Sequence, residues 1–189
     1  MSATLKPKVL FIGFGHLAKS LLSKKLLNSV NIHALNSKGV IKNINLKKKI
    51  LNFNNDYNYI FFLIRPKTFL TSGNQFKKYL SKETMVISCM AGIKLSTIEK
   101  TLKTKKIVRI MPNVMAFNNK SQTHIYMKNK NLFDSKLKKI LSTFGTIINA
   151  KNEDQIDFAT SVFGSGPAFI AYIVNTFLNN SITSFSFIW

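Results

Sequence analysis

Gly13-Phe14-Gly15-His16-Leu17-Ala18 is the first run in the chain whose residue types and spacing could do chemistry. A glycine-x-glycine-x-x-alanine pattern permits a tight turn at Gly13, lets an anion approach the backbone at Gly15, and lets a helix sit close on a strand at Ala18. The N–H groups of that helix start then attract the linked phosphates of a dinucleotide. The competing reading is a glycine-rich strand-to-helix turn and nothing more.

About twenty residues further on, where a carboxylate usually meets the ribose of NAD, the chain reads Leu35-Asn36-Ser37-Lys38. No carboxylate is there to repel a 2′-phosphate, and Ser37 and Lys38 are suited to binding one, so this segment favours NADPH, with NADH possible. The alternative is that Asn-Ser-Lys-Gly is only a turn. No Ser/His/Asp set or activated thiol is evident, and no catalytic acid or base is assigned. His16, His33 and His124 lack metal-ligand spacing, so no metal is expected. The single cysteine, Cys89, excludes an internal disulfide and fits a reducing, cytoplasmic setting.

The elements that must position these residues follow from hydrophobic periodicity. Residues 9–12 form a short apolar strand before the glycines, and Leu17, Ala18, Leu21, Leu22 and Leu26 mark an amphipathic helix after them. Further strands are expected at 31–35, 59–64 (ended by Arg65-Pro66), 85–88, 106–110 (ended by Met111-Pro112-Asn113) and 124–127. Helices are expected at 69–80, at 95–102 with a capping box from Ser96 to Glu99, and at 132–144, stopped by Gly145. Residues 42–57 are polar and Asn-rich and are assigned no helix. Short strands alternating with helices imply an α/β fold, a doubly wound, mostly parallel Rossmann sheet over residues 1–150. Residues 151–189 read as the start of a helical domain. Its Glu153, Asp154 and Asp157 precede 21 uncharged residues, 158–178, which suit a helix buried in protein better than a membrane span. Residues 179–189 show no helical period.

The 28 Lys and Arg against 7 Asp and Glu give a formal charge of +21. The lysines are scattered in twos and threes without an arginine-rich run, so solvated faces explain them better than a nucleic-acid or membrane partner. The residues ahead of the first strand lack the apolar core of a signal peptide, which argues against secretion.

Five segments, taken together, resemble the successive motifs of the pyrroline-5-carboxylate reductases. They are Phe11-Ile12-Gly13-Phe14-Gly15-His16-Leu17-Ala18, Ile64-Arg65-Pro66, Ile87-Ser88-Cys89-Met90-Ala91-Gly92-Ile93, Val108-Arg109-Ile110-Met111-Pro112-Asn113 and Gly164-Ser165-Gly166-Pro167-Ala168-Phe169. The resemblance spans residues 8–178. It implies NADPH- or NADH-dependent reduction of 1-pyrroline-5-carboxylate to L-proline, a small-molecule substrate, and homo-oligomers formed through a domain mostly absent here. By position, Ile12, Gly13, Phe14, Gly15, His16 and Leu17 would line the pyrophosphate and Asn36 would sit near the adenosine ribose. Ile64, Arg65, Pro66 and Lys67, with Cys89, Met90 and Ala91, would flank the cofactor, and Pro112 and Asn113 would lie by the nicotinamide. Glu153, Ser165 and Gly166 would face the substrate.

Several positions depart from the family pattern. Asn113-Val114-Met115 stands where Asn-Thr-Pro is usual, Phe163 replaces a serine, and Arg65 replaces the more usual lysine. The family's later Ser-Pro-Gly-Gly signature has no counterpart, which reads as a truncated or frameshifted ending. An inactive NADP-binding remnant and a basic surface-binding protein are the rival functions.

Overall fold

The computed structural model describes residues 6–50, 56–164 and 166–185. Apolar residues at the last four positions of the opening strand, β1 (Lys8–Ile12), place it at the centre of the fold, because only a strand covered on both faces reads as a continuous hydrophobic run. Val9 and Phe11 enter one core, and Leu10 and Ile12 enter the other on the opposite face.

The expected long helix after the glycines is two short ones, α1 (His16–Ser20) and α2 (Lys24–Ser29). Ser23 causes the break: its hydroxyl accepts from the Leu26 amide and starts a new helix where the apolar spacing alone suggested continuity. Then come β2 (Asn31–Leu35), β3 (Ile41–Asn43) and β4 (Lys48–Ile50). The β3–β4 hairpin lies in the polar segment that gave no sequence signal, and part of that segment, residues 51–55, lies outside the described residues.

β5 (Tyr59–Phe62) is followed by α3 (Pro66–Ser72), which starts on Pro66 at its first position and tightens into a 3-10 turn over Gly73–Tyr79. β6 (Met85–Ser88) and α4 (Leu95–Leu102) lie where expected. The expected capping box does not form, because Lys94, not Ser96, is the N-cap of α4. The Leu95 amide instead donates to Glu153 from 58 residues away. β7 (Ile107–Met111), β8 (Ser121–Tyr126), α5 (Ser135–Leu141) and β9 (Gly145–Asn149) complete the sheet. Gly145 therefore opens a strand that sequence reading missed.

The nine strands run in the order β4-β3-β2-β1-β5-β6-β7-β8-β9. β2, β1, β5, β6 and β7 are mutually parallel, and β9 is parallel to β8. β3 and β8 are antiparallel to their inner neighbours. Connection length explains this: Asn36–Val40 and Pro112–Lys120 are too short for the crossover that a parallel return needs. The fold is the doubly wound, mostly parallel Rossmann type.

A helical segment follows the sheet: α6 (Glu153–Ala159), a π-helical turn over Thr160–Gly164, and α7 (Gly166–Phe185). The helix extends beyond residue 179, past the point where the apolar period ends. Nor is it a buried helix: Phe169, Ile170, Tyr172, Phe177 and Leu178 are exposed. Glu153–Asn179 is long and apolar enough, by length and composition, to cross a membrane.

Candidate functional site

In this sheet order the chain leaves β1 to one side for β2 and returns on the other side as β5. The two connections diverge at the carboxyl ends of β1 and β5, the point at which open α/β sheets take their ligands. The glycine turn occupies that point. The Gly13 amide donates to Leu35 O at the end of β2 (3.0 Å), while Ile12 O accepts from Leu63 just past β5 (2.8 Å). Gly13 has φ +95°, and a β-carbon there would lie 2.7 Å from Leu63 O and 2.9 Å from Ile64 Cγ2. Only glycine fits such a position without strain.

Gly15 is built for a different reason. It is the extended N-cap of α1, and a β-carbon on it would meet nothing within 4 Å. Among the described residues no acceptor is paired with the amides of Phe14 or Gly15. Gly15 and His16 are exposed, and Phe14 and Leu17 are half-buried. The turn therefore offers N–H donors and open space together, and an anion needs both.

The other expected residues line the same edge. Ile64, Arg65, Pro66 and Lys67 follow β5, with Arg65 and Lys67 exposed. Cys89, Met90 and Ala91 follow β6, the Cys89 amide donating to Phe62 O (3.1 Å). Burial pushes the Cys89 thiol well above its usual range, which favours the protonated thiol over a thiolate. Pro112 is buried and Asn113 half-buried after β7. Asn36 folds its own turn at the tip of β2, its Oδ1 accepting from the amides of Lys38 (2.9 Å) and Val40 (3.0 Å). Ser37 and Lys38 are left exposed beside it. Ser165 lies outside the described residues, and Gly166 begins α7.

Glu153 is not a free carboxylate. Its Oε1 accepts from Arg109 Nη1 (2.8 Å) and from the Leu95 amide (2.6 Å). Asp157, one turn on, accepts from Arg109 Nη2 (2.8 Å) and from Lys94 Nζ (2.9 Å). Burial raises the Asp157 carboxyl, but the hydrogen bonds from Lys94 and Arg109 outweigh it and hold the group below its usual range. Arg109 was singled out in the sequence only as part of a motif. Its signal was an arginine inside an otherwise apolar strand, with two acids four residues apart elsewhere in the chain.

His124 and Phe163 were also missed as a pair. Their rings stack with centroids 5.0 Å apart and planes at 28°, and the Phe163 carbonyl accepts from Asn113 Nδ2 (3.2 Å). Burial lowers the His124 pKa, which favours a neutral ring. A hollow of about 930 Å³ lies at the opposite, amino ends of the strands, near Lys6, Asn58, Glu83 and Lys139. Its walls mix charges of both signs with the apolar side chains of Pro7, Met85 and Ile140.

No family model matches the chain. Curated relatives do. The pyrroline-5-carboxylate reductase of Staphylococcus epidermidis is 28% identical over 189 residues, covering 90% of this chain and 68% of the relative. The Staphylococcus aureus enzyme of the same name is 29% identical with the same coverage. Among solved structures, Plasmodium falciparum pyrroline carboxylate reductase with NADP bound superimposes with a TM-score of 0.74 at 20% identity. That superposition covers 96% of this chain and 71% of that one and speaks for the fold. In sequence and in fold, therefore, this chain is similar over nearly its whole length to the pyrroline-5-carboxylate reductases.

Proposed function

We propose that the chain binds NADPH along the carboxyl edge of its sheet and reduces 1-pyrroline-5-carboxylate to L-proline. The observation that carries this reading is the glycine turn at the β1–β5 divergence, where the amides of Phe14 and Gly15 have no partner among the described residues and a β-carbon at Gly15 would meet open space. The similarity to reductases of that name supplies the substrate.

The residues present fit a dinucleotide. Ile12 to Leu17 would hold the pyrophosphate, Asn36, Ser37 and Lys38 the adenosine end, and Pro112 and Asn113 the nicotinamide end. Ile64 to Lys67 and Cys89 to Ala91 would wall the crevice. The absence of a carboxylate at the tip of β2 favours NADPH over NADH. Residues 1–150 form the dinucleotide-binding unit on this reading, and Glu153, Ser165 and Gly166 belong to the substrate side.

Bound NADPH supplies a hydride. The chain's own task is placement, because a cyclic imine is basic enough to be substantially protonated near neutral pH, and its carbon is then already electrophilic. No acid, base or nucleophile has to be supplied, in keeping with the protonated Cys89 thiol.

The test is to mix the purified chain with NADPH and 1-pyrroline-5-carboxylate and to follow both absorbance at the nicotinamide band and L-proline. Matched loss of NADPH and gain of proline is expected. Binding of NADPH without its oxidation would identify a cofactor-holding remnant instead, and no binding at all would reject the reading.

A further inference from the structure

We propose that Arg109 is a positioning residue for this reduction, a joint that sets the helical segment, and through it Phe163, against the nicotinamide end of the crevice. The inference rests on the functional reading above, but its geometric part stands separately. Arg109 lies in the middle of β7 with its side chain 1% exposed, and both terminal nitrogens are spent on one helix, Nη1 on Glu153 and Nη2 on Asp157. These acids are four residues apart and so share one face of α6. Glu153 also takes the Leu95 amide, so a single carboxylate oxygen ties β7, α4 and α6 together.

A second tie lies further along the same two segments. Beyond α6 the backbone widens into the π-helical turn of Thr160–Gly164, and there the Phe163 carbonyl meets Asn113 Nδ2, four residues past Arg109. The Phe163 ring lies on His124, whose strand partner is Met111 at the end of β7. β7 and the helical segment are thus fastened twice, by ions at mid-strand and by Asn113 and the ring stack at the strand end. Arg109 sets the distance between the sheet and α6, and that distance decides whether Phe163 reaches Asn113.

Stability alone does not explain a buried guanidinium here. Buried ion pairs seldom outperform apolar packing, and Arg109 Nε is left buried without a partner among the described residues. A planar fork with fixed donor directions fixes the direction of α6 as well as its attraction, and neither an apolar side chain nor a lysine does that.

The test compares Arg109→Lys, which keeps the charge and loses the fork, with Arg109→Met, with Asp157→Asn and with Glu83→Gln on the distant Lys106–Glu83 surface pair as a control. For Arg109→Lys the NADPH dissociation constant is expected to stay within about twofold of the parent, while kcat/KM for the imine falls at least about tenfold, chiefly through KM, as displacement of a substrate wall requires. Amide hydrogen exchange over residues 153–164 and 113–118 should speed up together, with residues 8–17 unchanged. Equal loss of NADPH and imine binding, or exchange that rises across the whole sheet, overturns the proposal, as does an Arg109→Lys protein indistinguishable from the parent. If the arginine variants do not fold, Asp157→Asn must show the same split at smaller size or the proposal fails. If the parent chain binds NADPH without reducing the imine, the functional reading falls, and the paired exchange response alone decides for or against the joint.

Discussion

Gly13 and Gly15 stand two residues apart in one turn, yet alanine is expected to fail at them in opposite ways. At Gly13 the added carbon would sit 2.7 Å from Leu63 O and 2.9 Å from both Leu63 C and Ile64 Cγ2 at φ +95°. The backbone conformation costs an L-residue about 1–2 kcal/mol. Forcing a methyl against packed backbone adds about 1–3 kcal/mol, so Gly13→Ala should lose about 2–5 kcal/mol of folding stability in a urea titration. Gly15 has φ −86° and ψ −162°, ordinary extended backbone, and its added carbon touches nothing. Gly15→Ala should therefore lose less than about 1 kcal/mol, mainly from the poorer N-cap. Its methyl would instead occupy the space given to the phosphates, and NADPH affinity measured by fluorescence titration should fall at least about tenfold, or 1.4 kcal/mol. A Gly15→Ala protein that binds NADPH like the parent would refute the placement of the pyrophosphate. A Gly13→Ala protein of parental stability would refute the packing.

Three further outcomes follow from named contacts. Asn36→Asp keeps the acceptor for the Lys38 and Val40 amides but adds a charge facing the 2′-phosphate. NADPH affinity should fall about tenfold with NADH affinity held or raised, as paired titrations would record. Asp134 caps α5 through the Leu137 amide at 2.7 Å, and Asp134→Ala should cost about 1 kcal/mol, about 2–4 °C in the thermal midpoint. Asp157 has a folded-state pKa below its ordinary 3.8, so its stabilising share is present above that value and is lost as pH falls through the lower, folded value. Denaturation profiles taken from pH 5 downward should therefore be flatter for Asp157→Asn than for the parent.

The nucleotide-binding half of the fold was legible because its signals are local. A four-residue apolar run, two glycines and an alanine specify strand, turn and helix with no help from the rest of the chain. The β3–β4 hairpin was not legible, since Lys48 and Lys49 are exposed on an edge strand and carry no alternation of hydrophobicity. The Ser96–Glu99 pattern misled because a capping box was read where Glu153 supplies the acceptor from another helix. The Arg109, Glu153 and Asp157 cluster and the His124–Phe163 stack join segments about forty residues apart, and only the sheet order brings them together. Asn36 shows both readings at once, as it is a turn residue by its hydrogen bonds and still stands at the tip of β2.

The most direct measurement follows one hydrogen atom. With NADPH deuterated on the transferred face of nicotinamide C4, mass spectrometry of the product should find a single deuterium at C5 of L-proline, formed in step with NADP. Proline without the label, or NADPH bound to the chain and left unoxidised beside the imine, would contradict delivery of a hydride at this sheet edge.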